Sequence, residues 1–390
     1  MSKLDTSAEL IKLSTLMKVE VVDIQFLETL PLPALIKLRE QTADLLFNDG
    51  RKLFQNLAAA SKLMPTGLTA MIAEKTFGPM LCARVAGEMP YQRAIDLAQK
   101  MSLPFLAEVC RELDPRRVRD IISNMPISLS RGVALELIKR KEFLVMGSFV
   151  GMMPMSHMAV IIKDIPEEAL LHTGFFIEGK HQLSEIMRML PDARLAKLVE
   201  IMQVNEDLWP EALAMMVHLE DELKRKMGDI AAAQDEAMLD VLTQAVYRLD
   251  LWKDALPLFA SMSPGVQYIL INMPSLQDRT ILTAALENAD RYALWGSLLP
   301  LVEFMSTDQR QLLADVVGTE GQAFQERIID AAYKGHFWQP LFDVVKLMSP
   351  ATREVGIGHF RMLSQRDPQL VARWEPLARE RGLEDLIAEL

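Results

Sequence analysis

The sequence predicts an all-α protein, a right-handed superhelical solenoid of short helical hairpins and three-helix repeats. Three observations predict it. Four of the five tryptophans, Trp209, Trp252, Trp295 and Trp338, follow one another at intervals of 43 residues, and a fixed period of 20–50 residues is the mark of a stacked repeat array. Proline stops recur between short apolar stretches. The stretches themselves carry apolar residues at i, i+3, i+4 and i+7, one face of an α-helix.

Each tryptophan opens the same text. Leu251-Trp252 begins a run that closes with Met262-Ser263-Pro264, and Phe337-Trp338 begins one that closes with Met348-Ser349-Pro350; the run from Leu294-Trp295 ends at Met305-Ser306-Thr307. Ser and Thr cap helix N-termini and proline is tolerated in a first turn, so Met-Ser-Pro reads as stop and restart. Nearer the N-terminus the punctuation shortens to Met64-Pro65, Met89-Pro90, Asp114-Pro115, Met153-Pro154 and Leu190-Pro191, unevenly spaced. The stripes Val118/Ile121/Ile122/Met125, Met158/Ile161/Ile162/Ile165 and Leu195/Leu198/Val199/Met202 follow three of these stops. A third helix completes the longer units, as in 276–292 and 322–333. The expected organisation is one continuous solenoid: a helical cap over 1–50, degenerate shorter repeats over 51–205, three-helix repeats of about 43 residues over 206–380, and a polar cap helix over 381–390.

Composition agrees. Hydrophobic residues make up 50% of the 390, charged residues 24%, aromatics only 6%, and there are 25 methionines, a mix that suits helices better than sheets. The net charge of −11 and three short basic clusters set among carboxylates, at 116–119, 139–141 and 224–226, argue against nucleic acid as a partner. Two cysteines, Cys82 and Cys110, make no disulfide framework, and no secretory signal opens the chain, so a cytoplasmic location is expected. The 20 residues from Phe143 to Ile162 lack any charge, enough to span a bilayer. Their glycines and polar residues fit a lone spanning helix poorly, and the register splits them at Pro154 into two short buried helices.

Some of these segments resemble a known family. Glu112–Pro126 (ELDPRRVRDIISNMP) and Met189–Met202 (MLPDARLAKLVEIM) are similar to the cytosolic N-terminal superhelix of MgtE-type magnesium transporters and to the armadillo-like domains of flagellar motor-switch proteins. The resemblance covers about the middle third of the chain and implies a superhelical binding surface of armadillo, HEAT or MgtE-N type. The chain lacks the transporter's regulatory and membrane domains, so neither transport nor magnesium gating is implied.

No catalytic motif stands out: there is no HExxH, no glycine-rich phosphate loop and no GxSxG. Neither catalytic residues, nor a metal, nor a cofactor is expected. The leading expectation is a non-catalytic scaffold presenting a superhelical surface to a protein partner. The alternative is a carrier or sensor of a hydrophobic small molecule in a Met-rich groove over 143–162. Candidate binding residues are Trp209, Trp252, Trp295 and Trp338, which form either a packing stripe or a row of interface anchors. To these the second reading adds Phe143, Met146, Met152 and Met158, because thioether-rich helical surfaces repack around varied apolar partners.

Overall fold

The computed structural model describes residues 3–388. The outermost two residues of each expected terminal cap lie outside these. The protein is 82% helix, with no strand among the described residues. Among them no helix is long and apolar enough to cross a membrane, and the uncharged 143–162 stretch is two helices broken at Pro154.

Pro257 and Pro376 lie inside α-helices, but the prolines at the expected stops sit where backbone chemistry tolerates them. Pro65, Pro90, Pro154 and Pro191 are N-cap residues, and Pro115, Pro264 and Pro350 occupy first helical positions. The residue before a proline is pushed out of the helical region. Met125, for example, is extended at φ −65° and ψ 138°.

The chain divides into two compact units between Leu219 and Glu220. The first unit runs through α1 (Lys3–Met17), α2 (Leu32–Asn48), α3 (Arg51–Ser61), α4 (Thr66–Ile72), α5 (Gly78–Ala86), α6 (Tyr91–Ala98), α7 (Leu103–Arg111), α8 (Arg119–Asn124), α9 (Ile127–Lys139), α10 (Phe143–Val150), α11 (Met155–Ile161), α12 (Glu167–Phe176), α13 (Leu183–Arg188), α14 (Asp192–Val204) and α15 (Trp209–Met216). Alternate helices stack, α3 on α5, α5 on α7, α7 on α9, α10 on α12 and α12 on α15. The helix opened by Trp209 therefore packs within the first unit.

The second unit runs through α16 (Asp221–Gln234), α17 (Ala237–Arg248), α18 (Trp252–Ser261), α19 (Pro264–Ile271), α20 (Pro274–Gln277), α21 (Arg279–Arg291), α22 (Trp295–Leu298, continued as a 3-10 turn over Leu299–Phe304), α23 (Thr307–Thr319), α24 (Gln322–Gly335), α25 (Trp338–Val345), α26 (Pro350–Arg366), α27 (Gln369–Arg381) and α28 (Glu384–Ala388). Its local geometry returns every 43 residues. Asp250, Ala293 and His336 are left-handed, with φ of 52°, 56° and 58°. The next residue, Leu251, Leu294 or Phe337, donates its N–H to the carbonyl five residues back, at Val246, Ala289 and Ala332 (2.7–2.9 Å). That pair of features is a Schellman stop. The tryptophan that follows is the first residue of the next helix. Further on, Ser263, Ser306 and Ser349 accept a hydrogen bond from the N–H of Val266, Gln309 and Thr352, each an N-cap. Gln267, Arg310 and Arg353 then donate to carbonyls just before the cap, at Ala260, Val302 and Met348.

Candidate functional site

The four lattice tryptophans are interior residues. Trp209, Trp252, Trp295 and Trp338 are at most 5% exposed, so their rings present almost no surface to a partner. Trp295 meets Phe324 edge to face at 5.4 Å, and Trp338 meets Trp374 at 5.0 Å. Beside Trp295 the second unit holds a cavity of only about 40 Å³.

The first unit is built differently because its ends meet. α1 packs on α2 and on α15. At that junction His218 lies 2.9 Å from Asp5, and Arg39 of α2 bridges Glu9 (2.7 Å) and Glu178 (3.1 Å). Lys12 also reaches Glu9, at 2.8 Å. Burial by itself would push the Glu9 carboxyl up, but the two cations outweigh it and hold it below its ordinary value. Lys180 donates to the Phe175 carbonyl (2.8 Å), and burial pushes its ammonium down to about 8. At the other end of α2, Asp44 pairs with Arg116 at 3.0 Å, Asn48 accepts from Arg117, and the Leu46 carbonyl accepts from Arg84. The 17 residues of α2, about 25 Å of helix, thus form a strap that ties Glu9 and Glu178 at one end to Arg84, Arg116 and Arg117 at the other. The Arg116–Arg117 cluster is spent on this strap, and Arg140 is likewise paired, with Glu136 and Glu108.

Inside the strapped unit lies a cavity of about 340 Å³. Its wall draws on every helix from α3 to α13, on the segments between them, and on Met215 of α15. No charged side chain lines it. Ser61 and Thr69 turn their hydroxyls onto carbonyls of their own helices, and Thr173 turns its own toward the Met146 sulfur at 3.9 Å. The thiols of Cys82 and Cys110 also face it, and burial pushes them up to about 11 and about 12, so both stay protonated and apolar in character.

Of the Met-rich candidates, Met146 and Met158 line this cavity. Phe143 does not; it stacks on His172 with centroids 4.8 Å apart. Met152 is half-buried and packs against the neighbouring core. The larger set of wall residues stands at the proline stops. Met64, Met89, Met125, Met153, Ile165 and Leu190 each precede a proline, and all six face the cavity. The signal was in the sequence as Met-Pro punctuation, where it reads as a helix stop. The same extended residue that ends a helix directs its side chain into the lumen.

The only exposed wall residues are Ala60 of α3 and Phe77. Phe77 ends a π-helical turn, Ala73–Phe77, and Gly78 after it takes φ +75°, a left-handed conformation that favours glycine. The mouth of the cavity therefore lies at α3–α5. Among the described residues no group of three or more His, Cys, Asp or Glu is arranged to hold a metal. Comparison of the chain with protein-family models, with curated proteins and with solved structures finds no match.

Proposed function

We propose that the first unit binds an apolar, chain-like small molecule, an acyl chain or one of similar shape, and so acts as a carrier or sensor of it. The observation that carries this reading is the uncharged cavity of about 340 Å³ with methionines around its wall. Ligand pockets of drug-sized molecules begin at about 300 Å³, and an engineered apolar cavity of about 150 Å³ stays dry and takes up benzene. An empty apolar space of this size forfeits packing along its whole wall. A ligand restores those contacts, and thioethers adapt to its outline.

On this reading the chain is a helical solenoid, of the kind its likeness to MgtE-type superhelices implies, whose first unit curls until α1 meets α15. A protein scaffold is the less supported role, because the tryptophan row is enclosed, as its packing reading expects, and presents no anchors to a partner. Native mass spectrometry of the purified chain, followed by solvent extraction, tests the proposal. The expected result is a bound apolar mass in wild type that is lost in Ala134→Phe, whose added ring enters the lumen from α9. A wild-type chain that carries no such mass and takes up no added palmitate would refute it.

A further inference from the structure

The face of the protein around the cavity mouth carries exposed apolar side chains and an excess of lysine. On α3, Leu53, Leu57 and Ala60 form one helical stripe; the last two line the cavity with Met64 just beyond the helix, and Leu53 continues the stripe outward at 58% exposed. Leu63 in the turn after α3 is 87% exposed. On the elements packed beside it, Leu68, Met71, Phe77 and Met80 are exposed as well. An exposed apolar group of this extent on a folded chain marks an interaction site.

Its charge is also reversed. The chain carries a net −11, yet residues 50–80 hold Arg51, Lys52, Lys62 and Lys75 against Glu74 alone. Glu74 is turned inward onto the N–H (3.2 Å) and hydroxyl of Ser102. Lys52, Lys62 and Lys75 are solvent-exposed among the leucines. Exposed apolar side chains interleaved with lysines are the composition of a surface that lies on an anionic bilayer, the apolar groups entering the acyl boundary and the ammonium groups meeting headgroups.

We infer that α3–α5 is a membrane-docking face, seated on an anionic lipid surface with the cavity mouth turned toward it. This rests on the proposed ligand reading, and it supplies the exchange route that reading needs. An acyl chain would pass between bilayer and lumen beside Phe77 without crossing water. Its headgroup would stay outside beside Lys62 and Lys75, because the lumen offers no polar partner.

Flotation of the full chain with vesicles tests this. Wild type is expected to float with phosphatidylcholine–phosphatidylglycerol vesicles, to float weakly with phosphatidylcholine alone, and to release as salt rises. Leu53→Glu/Leu63→Glu and Lys52→Glu/Lys62→Glu are both surface changes whose folding is checked by circular dichroism. Each is expected to weaken vesicle binding about tenfold or more. Failure to float with anionic vesicles, equal flotation with both compositions, or flotation indifferent to both double variants overturns the inference. Ala134→Phe separates the two claims. Retained flotation with palmitate uptake lost supports both. If wild type floats but never loads palmitate, docking stands and the ligand reading falls. If it loads palmitate in solution but never floats, docking falls alone.

Discussion

The two units line their interiors with different side chains. In the second, the Schellman stops at Asp250, Ala293 and His336 each deliver a tryptophan at the start of the next helix, and the rings of Trp252, Trp295, Trp338 and Trp374 are buried in the interior. In the first, the only tryptophan is Trp209; methionines stand at the helix stops of both units, Met64, Met89, Met125 and Met153 here and Met262, Met273, Met305 and Met348 there, but only here do they face a large cavity. Eighteen of the 25 methionines precede Glu220. A large rigid ring closes the space between stacked helices, whereas a thin flexible thioether lines it. The strap adds a second difference. With α1 joined to α15, the helices of the first unit surround a lumen they are too slender to fill. A regular lattice thus goes with a packed interior, and an irregular one with a cavity.

The largest effect that would break this contrast is expected at Trp252, 1% exposed. Trp252→Ala should lower stability by about 3–5 kcal/mol, read by denaturant unfolding, with palmitate uptake by the first unit retained. If uptake is lost with the tryptophan, the lumen is not independent of the tryptophan-filled unit.

The strap comes next. Glu9→Gln leaves Arg39 and Lys12 buried without their shared carboxylate, at a cost of about 3 kcal/mol. Because the folded state holds Glu9 below its ordinary value of 4.5, the stabilisation it gives is fully present above that pH. It is lost as pH falls through the lower folded value. The wild-type stability curve should therefore drop more steeply on acidification than that of Glu9→Gln, and parallel curves would remove the strap's electrostatic role.

A matched pair of substitutions sharpens the comparison further. Ala255 in α18 is fully enclosed, so Ala255→Phe should overpack and cost about 1–3 kcal/mol. Ala134→Phe adds the same ring to the wall of a lumen and should leave thermal stability nearly unchanged. Equal losses would mean that the first unit is as tightly packed as the second.

The smallest effect concerns the repeat geometry itself. Ala293 holds a left-handed conformation at φ 56° that costs an L-residue about 1–2 kcal/mol. Ala293→Gly should raise stability by about 1 kcal/mol, whereas a drop would show that the Schellman geometry at this stop is not the one described.

Much of this was legible before the structure. The 43-residue spacing of the tryptophans reports stops and caps set by local bonding, so it reads directly from residue types. Proline positions and the break inside 143–162 follow for the same reason. The cavity was half legible: Met146 and Met158 lie on it, but Phe143 and Met152 share their helical neighbourhood and pack elsewhere. Closure of the unit was not legible. Asp5 meets His218 across 213 residues, and a contact of that range leaves no periodic trace. Nor do Ala98 and Ala134, small wall residues whose role is to leave room.

Hydrogen exchange read by mass spectrometry, with and without palmitate, bears most directly on the lumen as a binding site. The account predicts added protection in the wall helices α5 to α13, none in residues 220–390, and loss of the whole effect in Ala134→Phe. Protection confined to the second unit, or to the exposed stretch 53–80 with α7 to α13 unchanged, would contradict it.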